Sequence, residues 1–477
     1  MSDFTKLRIG LFGIGLAAYW EQFPGLKERL AGYVDAVDAK LQAPGRVVVN
    51  FGLVDSPEAA LALGHEVRRQ DIDFLVLYVT TYALSSTVLP IVRRAGLPVL
   101  ILNLQPAAAL DYSRFNALPD RAAMTGEWLA YCSACPVPEI ANVFSRTGVP
   151  YMQVTGVLQE DPECWSEIGD WMQAAEVAHT LSHTRLGLMG HYYSGMLDIA
   201  TDLTALCSIF GVQIDILEVD ELSRLVVEVT AAQMEEKSAA LRTAFDIAPD
   251  CSRMEIERSA RTSVALDRFA DRHRLNALAY YYKGSGVELN ENTISSIILG
   301  ASLLTGRGIP VAGEYEVKNA IAMKIMDAFG AGGSFSEYYA VDFADDVVLL
   351  GHDGPGHPGI AEGKTRVRPL DVFHGKVGSG LSVEMSVKSG PVTLLSVAEC
   401  RVNGFKLVVA EGYSELGPIL EIGNTNSRYR FSCGARKFVN GWNEQAPAHH
   451  CAIGVGHIAG KILKLARLLK IDAVQIC

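Results

Sequence analysis

The feature that most constrains this chain is an alternation in its first third. Short runs that are apolar throughout are each followed by a helical pattern. Arg8–Ile14, Arg46–Leu53, Phe74–Val79 and Pro98–Leu104 are rich in Val, Ile and Leu, and Pro150–Thr155 extends the series. Between them, Gly25–Leu41, Pro57–Arg69 and Ser85–Ala95 carry apolar residues at helical spacing. A strand that is apolar on both faces has no face to offer water. It belongs in a parallel sheet whose crossover helices cover both sides.

The pattern repeats after a tryptophan-bearing helical stretch, Cys164–Leu181. Leu186–Met189, Gln213–Val219 and Ala277–Tyr281 read as strands, with helices at Ala231–Phe245 and Met254–His273 between them. Beyond about residue 331 the texture changes to alternating β-rich runs: Val347–Leu350, Leu381–Val387, Val392–Val397 and Phe405–Val409, separated by Gly, Asn and Pro. The chain then ends in an amphipathic helix, Ile458–Leu469, and a short strand, Ala473–Ile476. The expected fold class is α/β. Two successive Rossmann-like parallel-sheet domains, 1–162 and 163–330, precede a mainly antiparallel, barrel-like β domain, 331–477.

A chain of 477 residues is too long for one core, which fits several domains. Its net charge of −12 leaves no broad basic field to recruit phosphates, so a nucleic-acid or anionic-membrane binder is not expected. No run reaches the about eighteen apolar residues of a membrane span. The opening Met-Ser-Asp-Phe-Thr-Lys-Leu-Arg leads into a strand instead of a secretory apolar core. Nine irregularly spaced cysteines do not form a disulfide framework. These features predict a cytoplasmic protein.

Two carboxylates and two sources of imidazole stand at element ends. Glu314 opens an apolar-periodic run (Ala320, Ile321, Met323, Ile325, Met326, Phe329) that predicts a helix. Glu337 follows the glycine cluster Gly330, Gly332, Gly333, and His352 ends the strand-like run Asp346–Gly351. His449 and His450 come nearly a hundred residues later. Such an oxygen-and-nitrogen set suits a divalent ion such as Mn²⁺. The same carboxylates suit proton transfer between adjacent carbons of a chelated substrate. A glutamate at a helix start is equally an ordinary response to the helix dipole.

Gly313-Glu314, Gly332-Gly333-Ser334-Phe335-Ser336-Glu337, Gly351-His352…Pro358 and Ala448-His449-His450 resemble the metal-site motifs of the L-arabinose isomerase and L-fucose isomerase superfamily, the arabinose branch more closely. The resemblance implies two Rossmann-like domains before a β-rich one. It implies Glu314, Glu337, His352 and His450 as Mn²⁺ ligands, with Mg²⁺ or Co²⁺ as substitutes. Glu314 and Glu337 double as acid and base, in an order left open, and convert a free aldose to its ketose through an enediol. It further implies a homo-oligomer, trimer or hexamer, with active sites between subunits. His450 is chosen over His449 on the family pattern, because neighbours on an extended strand point to opposite faces.

Polar and aromatic groups at strand ends are candidates for the sugar. Tyr19 and Trp20 follow the turn Gly10-Leu-Phe-Gly-Ile-Gly15, whose spacing is not that of a dinucleotide fingerprint, so no nucleotide cofactor is expected. Thr81 and Gln105 end later strands, and hydroxyls and amides there suit a hydroxyl-rich ligand or the cap of the next helix. Tyr192, Met196 and Tyr281 complete the set. Lys318, one turn after Glu314, is read as a solvated lysine that pairs with Glu314 or Glu316. His357 and His374 are read as solvent-exposed or backbone-bonded.

The pair Cys132-Ser-Ala-Cys135 lacks a second pair at zinc-ribbon spacing. Where the arabinose isomerase pattern has a substrate-contacting histidine, this chain has Cys135-Pro136-Val137-Pro138-Glu139, which leaves the sugar open. The alternatives are a non-catalytic sugar-binding protein and an isomerase or epimerase of an unusual sugar.

Overall fold

The five apolar runs of the first third are strands: β1 (Leu7–Ile14), β2 (Arg46–Val54), β3 (Phe74–Tyr78), β4 (Val99–Gln105) and β5 (Tyr151–Val157). They form one parallel sheet in the order β2-β1-β3-β4-β5. β3 is buried at every position, as a two-sided cover requires. Leu26–Leu41 and Pro57–Arg69 are helices. Ser85–Ala95 is broken into a 3-10 turn, Ser85–Thr87, and a helix, Leu89–Ala95. Pro90 accounts for the break, because it lacks an N–H and is tolerated only in a first helical turn. The computed structural model describes residues 6–370, 378–401 and 404–477, so His374 lies outside the described residues.

This sheet belongs to a compact unit that ends at His179; a second unit begins at Thr180. The second unit starts with β6 (Arg185–Gly190), β7 (Gln213–Leu217), the two-residue β8 (Asp246–Ile247), β9 (Ala277–Tyr281) and β10 (Val311–Ala312). Four of these make a parallel sheet in the order β10-β9-β6-β7.

The β-rich remainder comprises β11 (Gly332–Asp342), β12 (Val347–His352), β13 (Arg366–Leu370), β14 (Gly380–Glu384), β15 (Gly390–Cys400), β16 (Gly404–Glu415), β17 (Thr425–Phe431), β18 (His450–Val455) and β19 (Asp472–Gln475). Six of them pair antiparallel in the cycle β15-β18-β11-β12-β17-β16, and β15 with β16 closes the barrel. β19 is added parallel to β16. The run from Leu381 does not join the barrel: β14 ends at Glu384 and pairs with β13, which pairs with β8.

The helix Val317–Ala328 packs against β11, β15 and β18 as well as β9 and β10. Every residue from Val317 to Met326 is buried, Lys318, Asn319 and Lys324 included. A helix buried all round is a core element. No helix among the described residues is long and apolar enough to cross a membrane.

Candidate metal centre

Barrel register brings three of the expected ligands together. Glu337 of β11 stands directly opposite His450 of β18 and, on its other side, opposite Gly351 of β12, the neighbour of His352. Gly351 is required there: a Cβ would lie 1.8 Å from the Thr425 carbonyl oxygen of β17. His352 is pinned to the same strand, since its N–H donates to Thr425 Oγ1 (2.7 Å) and that hydroxyl donates to the His352 carbonyl (2.9 Å). The Phe335 ring lies 4.4 Å from both the His352 and His450 rings.

Glu314 reaches the group from a turn instead of a helix. The helix begins only at Val317, and Glu314 and Tyr315 both hold left-handed backbone, with φ of 58° and 63°. Such a conformation costs a non-glycine residue about 1–3 kcal/mol and tends to mark functional sites. The Tyr315 N–H donates to the Tyr280 carbonyl at the end of β9, and the Glu316 N–H to that of Gly313. Glu314 Oε2 is then 3.2 Å from His450 Nε2, and Oε1 is 3.8 Å from His352 Nε2.

His449 also faces Glu314, with Nε2 at 3.8 Å. The expectation that neighbouring histidines point to opposite faces fails because β18 starts at His450. His449 lies in the bend before it, where strand alternation does not apply, and the two rings are 3.8 Å apart. Ligand atoms of Glu314, His449 and His450 lie within 4.8 Å of one another, as do those of Glu337, His352 and His450. His450 joins the two groups.

The three imidazoles share one arrangement: a carboxylate behind Nδ1 and Nε2 turned toward Glu314. Asp353 stands 3.3 Å from Nδ1 of His352, Asp198 2.6 Å from that of His449 and Glu316 3.6 Å from that of His450. Outer carboxylates of this kind orient metal-binding histidines. Glu314 Oε2 and both ring nitrogens of His450 are buried and make ion-pair contacts, 3.2 Å to one another and 3.6 Å to Glu316, but no hydrogen bond among the described residues. Native proteins rarely leave buried polar atoms so. A divalent cation fits both the donor set and these atoms.

No protein-family model matches the chain. It is similar to an L-arabinose isomerase of Nocardioides sp. (strain ATCC BAA-499 / JS614), 24% identical over 385 residues that cover 78% of this chain and 74% of the relative. It is also similar to an L-arabinose isomerase of Aeromonas salmonicida (strain A449), 22% identical over 281 residues, 57% of this chain and 55% of the relative. The relationship to the L-arabinose isomerases is one of family level.

In this arabinose isomerase-like chain the two glutamates feel opposite influences. Burial works against the charge of Glu314, but the His449 and His450 imidazoles hold its carboxyl well below the usual carboxylate range. Burial pushes the Glu337 carboxyl up; the His450 imidazole offsets part of this, and Glu314 adds to it. Burial opposes the charge of His449, yet Glu314 and Asp198 outweigh it and raise the imidazole to about 9.

Of the residues expected to meet a sugar, Tyr281 lines a pocket with Glu314 and His352, its ring 4.6 Å from that of Tyr193. Tyr192 packs its ring 4.8 Å from Tyr315, beside the left-handed turn, and Met196 is half-buried next to the turn Leu197–Ile199. Tyr19, Trp20, Thr81 and Gln105 belong to the first unit. Trp20 Nε1 donates to Asp55 Oδ2 (2.8 Å), and Tyr19 packs with Phe23. The buried Thr81 hydroxyl donates to the Leu129 carbonyl (2.7 Å), and Gln105 Nε2 to Ser133 Oγ (2.5 Å).

Two readings of charged residues are corrected. Lys318 is not solvated: it is 2% exposed, hydrogen-bonded to the Asp198 and Ile199 carbonyls, and paired with Glu316 at 3.1 Å. Of the two alternatives for His357, solvent exposure is excluded, because the residue is buried. Glu316 was legible only as a possible lysine partner, because nothing local in the sequence reveals that a helix start points at a strand a hundred residues away.

Proposed function

We propose that this protein is a metal-dependent aldose–ketose isomerase that acts on a free sugar of the L-arabinose or L-fucose kind. The observation that supports it most is the convergence of Glu314, Glu337, His352 and His450, from two strand ends, the middle of β11 and one strained turn, around buried atoms that lack hydrogen bonds among the described residues. The family-level relationship to L-arabinose isomerases points the same way. Mn²⁺ is the proposed ion, with Mg²⁺ or Co²⁺ as substitutes.

The reaction moves a proton between C2 and C1 while a carbonyl and a hydroxyl exchange places. A proton beside a carbonyl is weakly acidic, so the developing enediolate needs its charge stabilised. The bound divalent ion supplies that stabilisation as a Lewis acid. Glu314 and Glu337 handle the protons: one removes the proton from carbon, and the other manages the oxygen proton or returns a proton to the adjacent carbon. His352 and His450 would offer their Nε2 atoms to the ion. Tyr281 closes one wall of the pocket.

Cys135 in place of the family's histidine supports a sugar other than the common family substrates. The reading includes a homo-oligomer in the cytoplasm. A panel of aldoses incubated with the protein and Mn²⁺, Mg²⁺ or Co²⁺, with ketose formation as readout, tests it. Conversion that a chelator abolishes and Mn²⁺ restores is expected. Sugar binding without conversion under every metal would replace the reading with that of a binding protein.

A further inference from the structure

His450 joins both ligand groups, so its ring must be held in one orientation. Nothing in its own strand does this, since both ring nitrogens are buried without a hydrogen bond among the described residues. Behind it lies Glu316, fully buried, with Oε2 3.6 Å from His450 Nδ1. The other oxygen of Glu316 is 3.1 Å from Lys318 Nζ. That ammonium also donates to the Asp198 and Ile199 carbonyls, at 2.8 and 3.1 Å. The ammonium thus makes two hydrogen bonds to carbonyls and one ion pair to Glu316.

The arrangement ties three segments together. Glu316 and Lys318 begin the core helix, the carbonyls belong to the turn Leu197–Ile199, and His450 begins β18. A buried ion pair seldom adds net stability over apolar residues of similar size, so its presence calls for another reason. We propose that Glu316 and Lys318 are positioning residues that fix the ring orientation and tautomer of His450. A carboxylate behind Nδ1 draws the proton of the neutral imidazole to that nitrogen. The Nε2 lone pair would then be left for an ion on the side of Glu314, whose Oε2 is 3.2 Å away. Lys318 holds the carboxylate in place. This inference rests on the metal-centre reading for His450.

The test uses the full chain as wild type, as Glu316→Gln and as Glu316→Gln/Lys318→Met. The double variant removes both charges together, so it leaves no buried ammonium unpaired if the single variant does not fold. Calorimetric titration with Mn²⁺ is expected to show about 10–100-fold weaker binding in the variants. ¹⁵N NMR of histidine-labelled protein loaded with diamagnetic Mg²⁺ is expected to place the His450 proton on Nδ1 in the wild type and to show mixed ring states in the variants. Unchanged affinity and tautomer in the double variant, or a wild-type His450 protonated on Nε2, would overturn the positioning role alone. A wild type that binds no Mn²⁺ would overturn the metal centre, and the inference with it.

Discussion

Polar groups at strand ends behave differently in the two units. In the first, most are spent on the fold: Thr80 donates to the Ile14 carbonyl, Thr81 to that of Leu129, and Gln105 to Ser133, and Asn103 Oδ1 is the exception among those named, buried without a hydrogen bond among the described residues. In the second, Glu314 Oε2 and the His450 nitrogens are buried without such partners among the described residues, and Glu314 sits on left-handed backbone. The same sequence cue, a polar residue closing an apolar run, therefore has two meanings. What separates them is whether the buried atom is already satisfied.

Four variants sharpen or break that contrast. The largest effect is expected from Glu337→Gln or Glu314→Gln. Turnover should fall roughly 100- to 10,000-fold while circular dichroism stays unchanged, since each loses a proton-transfer group; near-wild-type rates in both would end the acid/base assignment. His352→Ala removes a ring placed between Asp353 and Glu314 and should weaken Mn²⁺ uptake at least as much as the roughly 10–100-fold loss of an outer carboxylate. Equal stoichiometry and affinity by calorimetry would argue against ligation. Thr81→Val strands the Leu129 carbonyl and should cost about 1 kcal/mol in urea unfolding, with Mn²⁺ affinity unaltered. An altered affinity there would blur the distinction between the units.

The smallest change is expected from pH acting on His357. Burial lowers its pKa, so the folded protein favours the neutral ring. Its contribution is fully present above the unfolded value near 6.5 and is lost as pH falls toward the lower folded value. The thermal midpoint of the wild type should therefore decline below about pH 6.5 more steeply than that of His357→Gln. Parallel declines would show that His357 carries no such linkage.

Local pattern made the parallel sheets legible, because runs such as Phe74–Tyr78 are apolar on both faces whatever lies elsewhere. The candidate centre was legible through motif resemblance, in the residues that offer ligand atoms. What surrounds them was not. Closure of the barrel depends on β15 meeting β16 and β18, and burial of the core helix depends on β11, β15 and β18 packing against it together with β9 and β10. A lysine at a helix start is ordinarily solvated, so Lys318 is misread until the strands and the turn packed against its helix are known. His449 is misread for a related reason: where the strand begins decides which way it faces. The left-handed backbone of Glu314 leaves no trace in composition, since glutamate does not favour it.

The central claim is that four side chains from separate segments hold one divalent ion. Diffraction from crystals grown with Mn²⁺, recorded at the manganese absorption edge, tests it most directly. An anomalous peak in contact with Glu314, Glu337, His352 and His450 is the expected result. A peak elsewhere, or none at that place with Mn²⁺ in excess, would contradict it.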